Sequence, residues 1–239
     1  MIEEVRGEPL LECADSIGLW HGELPACDTN YHHYWSLLDD AEKARAGKIK
    51  NILLRNYYVQ THGRLRDLLA QVINDAPEKI SIATTEYGKP YLVDYPGFVF
   101  NLSHSANMLV IAIGWECQLG VDTEHYKQRA NLSALVDKCF ADEEAVYWKN
   151  LPEIQKTLEF YRFWTRKEAF VKATGKGIAL GLNSCVINPE NPTEFLRVPV
   201  NCGQVTTWRL CDIDLGQGLS TALATDKKQV NIRLMNLPS

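Results

Sequence analysis

The order in which helical and β-type segments follow one another constrains the fold of this chain most. A segment with strand composition, residues 16–24, precedes a segment from about Asp40 to Ile73 whose apolar residues share one helical face. Short β-type segments separated by Gly, Pro and Asp follow at 79–84, 98–102 and 108–115. The first half therefore predicts a strand, a long helix and a meander.

The second half repeats this order. A strand at 119–124 leads into helices near 132–138, 142–149 and 155–175, and Gly175 suits a left-handed C-cap. Further strands are predicted at 185–187, 204–210, 219–224 and 230–234. Runs of strands and runs of helices favour an α+β fold over a βαβ parallel sheet. We predict two similar, tightly packed halves, residues 1–117 and 118–239.

Composition excludes several classes of partner. The 239 residues are 46% hydrophobic, enough for a substantial core, and the net charge of −5 gives no positive field to attract nucleic acid or an anionic membrane. The longest apolar run, Met108 to Trp115, is too short to span a bilayer. The seven cysteines are scattered without a Cys-x-x-Cys pair, as expected for reduced thiols. We therefore expect a cytoplasmic protein that binds neither nucleic acid nor membranes.

The segment GVDTEHY places two acids on one side of a predicted strand. Alternate side chains of a strand share a face, so Asp122 and Glu124 lie together. Neighbouring carboxylates require a raised pKa, a basic partner or a hard cation. Taken alone, the pattern is more typical of a solvated strand end.

The segment FWTRKEAFVKATGKG is an amphipathic helix with a single acid, Glu168. Residues four apart share a helical face, so Trp164, Glu168 and Lys172 form a line, while aromatic residues on another face anchor the helix in the core. The line is either an ordinary Glu–Lys pair or an anion site. In an anion site Lys172 would bind a phosphate, and Glu168 would serve as an oxygen ligand or a base.

The segment FNLSHS, preceded by YGKPYL, collects polar groups at the junction of two predicted strands. Hydroxyl, amide and imidazole groups there could surround an anion, and the residues concerned are Asn101, Ser103, His104 and Ser105. His104 is otherwise an ordinary turn histidine. A Ser/His/Asp hydrolase built on His104 and Asp122 is disfavoured, because adjacent Ser and His side chains of a strand point to opposite faces and no G-x-S-x-G elbow is present.

In their order and in their residues, these segments resemble the signature of the Sfp-type 4'-phosphopantetheinyl transferases. That signature is roughly G-(V/I)-D-x-E, followed about forty residues later by W-x-x-K-E-A-x-x-K, and here Asp122 and Glu168 are 46 positions apart. The YGKP and FNLSHS elements and the trailing G-x-G match as well. The resemblance extends from the strand around Trp20 to about Ala224.

The resemblance implies transfer of the 4'-phosphopantetheine arm of coenzyme A to a serine of an apo acyl or peptidyl carrier protein, with release of 3',5'-bisphosphoadenosine. It implies a monomer with pseudo-symmetric halves and coenzyme A in the cleft between them. The N-terminal half would bind the nucleotide, and the C-terminal half would carry the catalytic residues. Asp122, Glu124 and Glu168 would be ligands of Mg²⁺, which would hold the pyrophosphate.

Catalytic roles are implied for Asp122, Glu168 and Lys172. Lys172 matches the family lysine that contacts the phosphate and protonates the leaving group. Glu168, or a metal-bound water beside it, would take the proton of the carrier serine, and the sequence leaves both open. Ser103 and His104 match residues at the phosphates of the nucleotide.

On the nucleotide side, Arg45 and Lys48 resemble the residues that reach the 3'-phosphate, and Lys89 lines up with contacts beside the adenine. The chain departs from some relatives three residues before Arg45, where a basic residue is replaced by Glu42. Lys43 is a candidate substitute. The contacts to the 3'-phosphate are therefore the least defined part of the predicted site.

The carrier protein is expected to dock near the metal, at the segment that leads into the long helix. Lys149, Lys156 and Arg162 would meet acidic carrier helices, with Phe140 or Tyr147 as apolar contacts. An ordinary solvated helix face explains these charges equally well.

Three alternatives remain open. A non-catalytic coenzyme A-binding or regulatory protein of the same fold is opposed by the complete set of acids together with Lys172. The shorter, trimeric holo-carrier synthase is opposed by the chain length and by the YGKP element. A metal-dependent phosphodiesterase, which uses water in place of serine, would consume coenzyme A without a carrier.

Overall fold

The structure is a computed structural model that describes residues 2–4, 16–127 and 131–238. The helices are α1 (Tyr31–Leu37), α2 (Asp40–Lys48), α3 (Ile52–Ile73), α4 (Leu132–Cys139), α5 (Asp142–Asn150) and α6 (Glu153–Thr174). The strands of the first half are β1 (Ile2–Glu4), β2 (Ser16–Glu23), β3 (Ile82–Thr84), β4 (Pro90–Leu92), β5 (Phe98–Ser105) and β6 (Met108–Trp115). Those of the second half are β7 (Leu119–His125), β8 (Val186–Ile187), β9 (Phe195–Arg197), β10 (Arg209–Asp212), β11 (Leu219–Thr225) and β12 (Asn231–Asn236).

Two larger sheets organise these strands. One has five strands in the order β1-β12-β2-β6-β5, and the other has three in the order β10-β11-β7. β12 runs parallel to both of its neighbours, whereas the other pairs in these sheets are antiparallel. The α+β prediction is confirmed. The division at residue 117 stays a prediction, and β12 crosses it to join the sheet of the first half.

Buried apolar side chains arrange these elements in layers. α3 packs on the outer face of the large sheet through residues that include Leu65, Leu69, Trp20, Phe100 and Ile111. The inner faces of both sheets share a second cluster that includes Leu19, Val110, Val121 and Leu223. α6 covers the small sheet through Phe160, Phe163, Phe170, Leu210 and Ala222. The order of layers is therefore helix, sheet, sheet, helix.

The helix expected from about Asp40 to Ile73 is two helices, α2 and α3, and this prediction was wrong in length. The chain is extended at Ile49, and the Asn51 side chain accepts a hydrogen bond from the Leu54 amide at 3.1 Å to start α3. α1 was not predicted at all. Its seven residues are too few to show a helical period.

Short strands account for the other differences. The strand predicted at 79–84 is reduced to β3, because Pro77–Lys79 forms a 3₁₀ turn. The strand predicted at 204–210 begins only at Arg209, because Val205–Thr207 also forms a 3₁₀ turn. β1, β4 and β9 were missed, since three residues carry no alternation.

The structure bears on two expectations from composition, one about membrane-spanning helices and one about the cysteines. In the described ranges no helix is both long enough and apolar enough to cross a membrane. Cys27, Cys117, Cys139, Cys185, Cys202 and Cys211 are free thiols. Cys13 lies outside the described residues.

One glycine determines how closely α6 packs on β7. A Cβ atom on Gly120 would lie 2.1 Å from the carbonyl oxygen of Ala169 and 2.4 Å from the amide nitrogen of Ala173. Both atoms belong to the backbone of α6, so a side-chain adjustment would not relieve the contact. Gly120 therefore allows α6 to lie directly on the strand that carries Asp122 and Glu124.

A buried polar network fixes α2 against α3. The Arg66 guanidinium donates hydrogen bonds to Glu42 at 2.8 Å, to Asp39 at 2.7 Å and to the Ile80 carbonyl at 2.7 Å. Glu42 also accepts a hydrogen bond from the Asp39 amide, which completes a capping box. Burial alone would raise the pKa of Glu42, but hydrogen bonds from His62, Asp39 and Arg66 outweigh it and lower the pKa to about 2.

We predict that Gly120→Ala lowers the free energy of unfolding by about 3 kcal/mol or more, because the backbone of α6 or β7 must shift. Gly47→Ala in α2 is the matched control, since a Cβ atom there meets nothing within 4 Å. Alanine is the better helix former, so this control should gain up to about 1 kcal/mol. Urea unfolding of both variants measures the difference. A Gly120→Ala protein as stable as the wild type would contradict the contact.

We also predict that the stabilisation by Glu42 depends on pH. Its pKa lies below the usual value of 4.5, so its contribution is complete above that value and is lost as the pH falls toward 2. Glu42→Gln should lower the free energy of unfolding at pH 7 by about 1–2 kcal/mol, because solvent screens part of the interaction, and the difference from wild type should shrink between pH 5 and pH 2. Glu78→Gln, at an exposed glutamate, is the control for loss of a surface carboxylate and should change the free energy of unfolding by less than about 0.5 kcal/mol.

Candidate active site

β5 and β7 belong to different sheets, and a side-chain ladder joins them. Three side chains of β5 accept hydrogen bonds from alternate amides of β7: Asn101 from Val121 at 2.8 Å, Ser103 from Thr123 at 3.2 Å and Ser105 from His125 at 3.1 Å. The residue numbers rise together along both strands, so the strands run in the same direction. The N-x-S-x-S pattern of β5 thus matches the two-residue period of its neighbour.

The same two serines hold the acids of β7. The Ser103 hydroxyl donates a hydrogen bond to Oδ1 of Asp122, and the Ser105 hydroxyl donates one to Oε2 of Glu124, each at 2.8 Å. Asp122 and Glu124 share the face of β7 that meets α6, because Gly120 on that face touches the helix. The sequence prediction that these acids lie together agrees with this arrangement.

α6 adds a lysine to this pair of strands. The Lys172 ammonium donates hydrogen bonds to Oδ1 of Asp122 at 2.7 Å, to the Ser103 hydroxyl at 3.0 Å and to the Val121 carbonyl at 3.1 Å. Its three N–H groups are therefore all engaged. Oδ2 of Asp122 is buried and, among the described residues, has no hydrogen-bond partner.

Glu168 lies one helical turn before Lys172 and interacts electrostatically with Lys172, Asp122 and Glu124. Burial raises the pKa of Glu168, the charges of Asp122 and Glu124 raise it further, and Lys172 offsets part of the effect. The pKa of Asp122 is also raised by burial, against the opposing influence of Lys172 and the Ser103 hydroxyl. The arrangement therefore concentrates more negative charge than its single lysine balances.

A cleft of about 340 Å³ opens beside Glu168 and Lys172. Its remaining walls come from both halves of the chain: Tyr87, Gly88, Lys89, Pro90, Asn101 and Leu102 from the first, and Val171, Gly175 and Gly177 from the second. The YGKP and G-x-G segments therefore line one cavity and pack against each other. A cavity with mostly apolar walls and a few charged side chains is typical of a small-molecule site.

Lys89 ties the walls of this cleft together. Its ammonium donates hydrogen bonds to the carbonyl of Leu119 at the start of β7, at 3.1 Å, and to that of Ala173 near the end of α6, at 2.7 Å. Burial lowers the pKa of Lys89 to about 8. The aliphatic part of the side chain lies against Gly175, where a Cβ atom would be 3.1 Å from Cδ. Sequence reasoning missed this anchoring role.

The other predicted contacts to coenzyme A are more exposed. His104 is exposed and shares the face of β5 with Leu102, opposite Ser103. Arg45 and Lys48 are exposed in the last turn of α2 and are not among the residues that line the cleft. Their assigned roles stay predictions.

A buried ion pair holds α6 from its other side. Lys167, next to Glu168 in the W-x-x-K-E-A pattern, lies 2.7 Å from Glu144 of α5, and both side chains are fully buried. Glu144 also accepts hydrogen bonds from the amides of Ala141 and Ile187. The motif lysine is thus a structural residue. No pattern in the sequence indicates its partner, which lies 23 positions away in the chain.

The expected carrier contacts need one correction. Phe140 is only 4% exposed and packs against Phe160 and Phe163, so the prediction that it offers an apolar surface contact was wrong. Val146 of α5 and Ile154 of α6 are the exposed apolar residues of this segment, by 59% and 90%. Lys149, Lys156 and Arg162 each form an ion pair with a neighbouring acid, namely Asp137, Glu153 and Glu159.

Comparison with known proteins identifies the family. The sequence model of the 4'-phosphopantetheinyl transferase superfamily matches residues 118–224, which include β7 and α6. The 4'-phosphopantetheinyl transferase HetI of Nostoc sp. is 31% identical over 190 residues, which cover 78% of this chain and 80% of that protein.

Two further relatives agree. A putative 4'-phosphopantetheinyl transferase of Synechocystis sp. is 34% identical over 179 residues, or 74% of this chain and 72% of the relative. The 4'-phosphopantetheinyl transferase Sfp of Bacillus subtilis is 33% identical over 105 residues, or 44% and 46%. Since the likeness to HetI covers 78% of this chain and 80% of that protein at 31% identity, this protein belongs to the 4'-phosphopantetheinyl transferase superfamily and is an enzyme of that class.

Proposed function

We propose that this transferase moves the 4'-phosphopantetheine arm of coenzyme A to a serine of an apo carrier protein, with Mg²⁺ held by Asp122, Glu124 and Glu168. The observation that carries the proposal is the convergence of these acids with Lys172 beside a cleft built by both halves of the chain. Coenzyme A and a carrier protein are the substrates of the family to which the chain belongs. The non-catalytic alternative is not favoured, because every acid and the lysine are in place.

The acidic residues fit a magnesium ion. Carboxylates offer only oxygen ligands, which Mg²⁺ prefers, and substrate phosphates usually complete its coordination. The free oxygen of Asp122 and the raised pKa of Glu168 are both features that a cation would relieve. In the described part of the chain, no three His, Cys, Asp or Glu side chains are gathered closely enough to hold a metal by themselves. The phosphates of coenzyme A would therefore supply part of the site.

The protein residues have separate tasks in the transfer. Bound Mg²⁺ would neutralise charge on the pyrophosphate. Lys172 exchanges one of its three hydrogen bonds for a phosphate oxygen and stabilises the charge that develops on the leaving group. Glu168 would accept the proton of the carrier serine.

The bond changes follow from these positions. The serine oxygen bonds to the phosphorus of the pantetheine phosphate, and the bond from that phosphorus to the bridging oxygen breaks. The departing 3',5'-bisphosphoadenosine carries the electron pair. The cleft wall formed by Tyr87, Lys89 and Gly175 would hold its adenosine. Arg45, Lys48 and His104 are proposed to bind its phosphate groups.

The unit of function is proposed to be a cytoplasmic monomer with a nucleotide half, 1–117, and a catalytic half, 118–239. Both walls of the cleft come from one chain, which supports a monomer. The six cysteines in the described residues are free thiols, which suits a reducing compartment.

The reaction is tested by the intact mass of an apo carrier protein incubated with the enzyme, coenzyme A and Mg²⁺. We predict a gain of one phosphopantetheine, which EDTA prevents. Glu168→Gln should abolish the gain yet be at least as stable as the wild type without metal, because it removes repulsion from Asp122 and Glu124. Full activity of this variant would refute the metal assignment, and consumption of coenzyme A without a carrier would favour the phosphodiesterase.

Lys172→Ala tests the phosphate role. We predict that it lowers turnover by about 100-fold or more, since it removes a charge that acts on the leaving group. The control is Lys79→Ala, which removes an exposed lysine paired with Asp75 and should leave the rate unchanged. Initial rates at saturating coenzyme A and carrier measure both. An unchanged rate for Lys172→Ala would remove this residue from the mechanism.

A further inference from the structure

We propose that Ser105 is a positioning residue, whose hydroxyl orients the Glu124 carboxylate for metal binding from the opposite half of the molecule. The inference rests on the proposed metal site and adds to it a residue that touches neither metal nor substrate. It assigns a second task to the side-chain ladder between β5 and β7, namely the presentation of the acids.

The hydrogen bonds of Ser105 leave its hydroxyl only one orientation. Its oxygen accepts the His125 amide at 3.1 Å, and its single proton is donated to Oε2 of Glu124 at 2.8 Å. The side chain is buried, so water does not compete freely for these bonds. A hydroxyl held by a backbone amide is a fixed donor, and it restricts the rotation of the carboxylate that accepts from it.

The pattern recurs two residues earlier, but with a difference. Ser103 accepts the Thr123 amide and donates to Asp122, yet Asp122 is also held by Lys172. Among the described residues, Ser105 is the one side chain that donates a hydrogen bond to the Glu124 carboxylate. Loss of the hydroxyl at Ser105 should therefore free its acid more completely than the equivalent loss at Ser103.

The placement of Ser105 links the two halves. β5 lines the coenzyme A cleft through Asn101 and Leu102, and the same strand reaches Glu124 through Ser105. Asn101 makes the equivalent bond to β7 without touching an acid. The ladder would thus join the strands through three rungs and orient carboxylates through two. Hydrogen-bond partners of metal ligands commonly tune metal affinity in this way.

A purely structural role for Ser105 is the competing explanation, and Thr123 offers a matched control. Its hydroxyl is buried and lies 2.7 Å from that of Thr221, joining β7 to β11 on the face opposite the acids. Thr123→Val therefore removes a buried hydroxyl bond of the same strand without touching Glu124. It should lower stability while leaving metal affinity unchanged.

The experiment titrates the folded protein with Mn²⁺ by calorimetry, first alone and then with saturating coenzyme A, and compares the variants under whichever condition gives wild-type binding. Ser105→Ala should bind Mn²⁺ about 10- to 100-fold more weakly than the wild type. Ser105→Thr, which keeps the hydroxyl, should restore binding. Ser105→Cys keeps the volume but donates a weaker hydrogen bond, so it should be intermediate and provides a second test if the alanine variant does not fold. In the transfer assay, Ser105→Ala should need more Mg²⁺ for half-maximal rate and should recover at high Mg²⁺.

The outcomes separate this inference from the proposal beneath it. A wild-type protein that fails to bind Mn²⁺ both alone and with coenzyme A would overturn the metal site and the role of Ser105 together. Wild-type binding that Ser105→Ala leaves unchanged would overturn the positioning role alone. Equal losses in Ser105→Ala and Thr123→Val would assign the effect to strand packing and would also refute it.

Discussion

The contact between β5 and β7 is the constraint on which the rest of the site depends. Each is the edge of its own sheet, and an edge strand exposes amides that need partners. Asn101, Ser103 and Ser105 supply acceptors for alternate amides of β7. A slip of one residue in this register would turn the acids of β7 to the opposite face. The same set of hydrogen bonds therefore joins the two sheets and determines which face of β7 carries the acids.

The position of α6 is fixed independently, from both of its sides. On the strand side, Gly120 has no side chain to separate the backbone of α6 from β7, so the two are in direct contact. On the other side, Lys167 forms a fully buried ion pair with Glu144. Arg166 adds a two-pronged ion pair with Asp212 of β10, at the edge of the small sheet. Burying charges is costly unless each is paired and hydrogen-bonded, and breaking such a pair is strongly destabilising. These ion pairs fix the orientation of α6 about its own axis, so that Glu168 and Lys172 point toward β7.

Local periodicity made part of the site predictable from sequence. The pairing of Asp122 with Glu124 needs only strand alternation, and that of Glu168 with Lys172 only the helical repeat. Other features depend on contacts between residues that are distant in sequence. These are the place of β12 in the first sheet, the hydrogen bond of Lys89 to α6 and the burial of Phe140. No periodicity in one sequence encodes such contacts, and this separates the predicted part of the fold from the rest.

The bonds of Lys172 show why a lysine by itself does not complete a pyrophosphate site. All three of its N–H groups are engaged, one with the buried Asp122. If Lys172 turned toward a phosphate, Asp122 would lose its cationic partner in a buried setting, at considerable cost. A second cation at the acids removes that cost, because the carboxylates stay neutralised while the ammonium changes partner. The charge balance of the protein therefore supports the proposed metal site, in which metal and pyrophosphate would each strengthen the binding of the other.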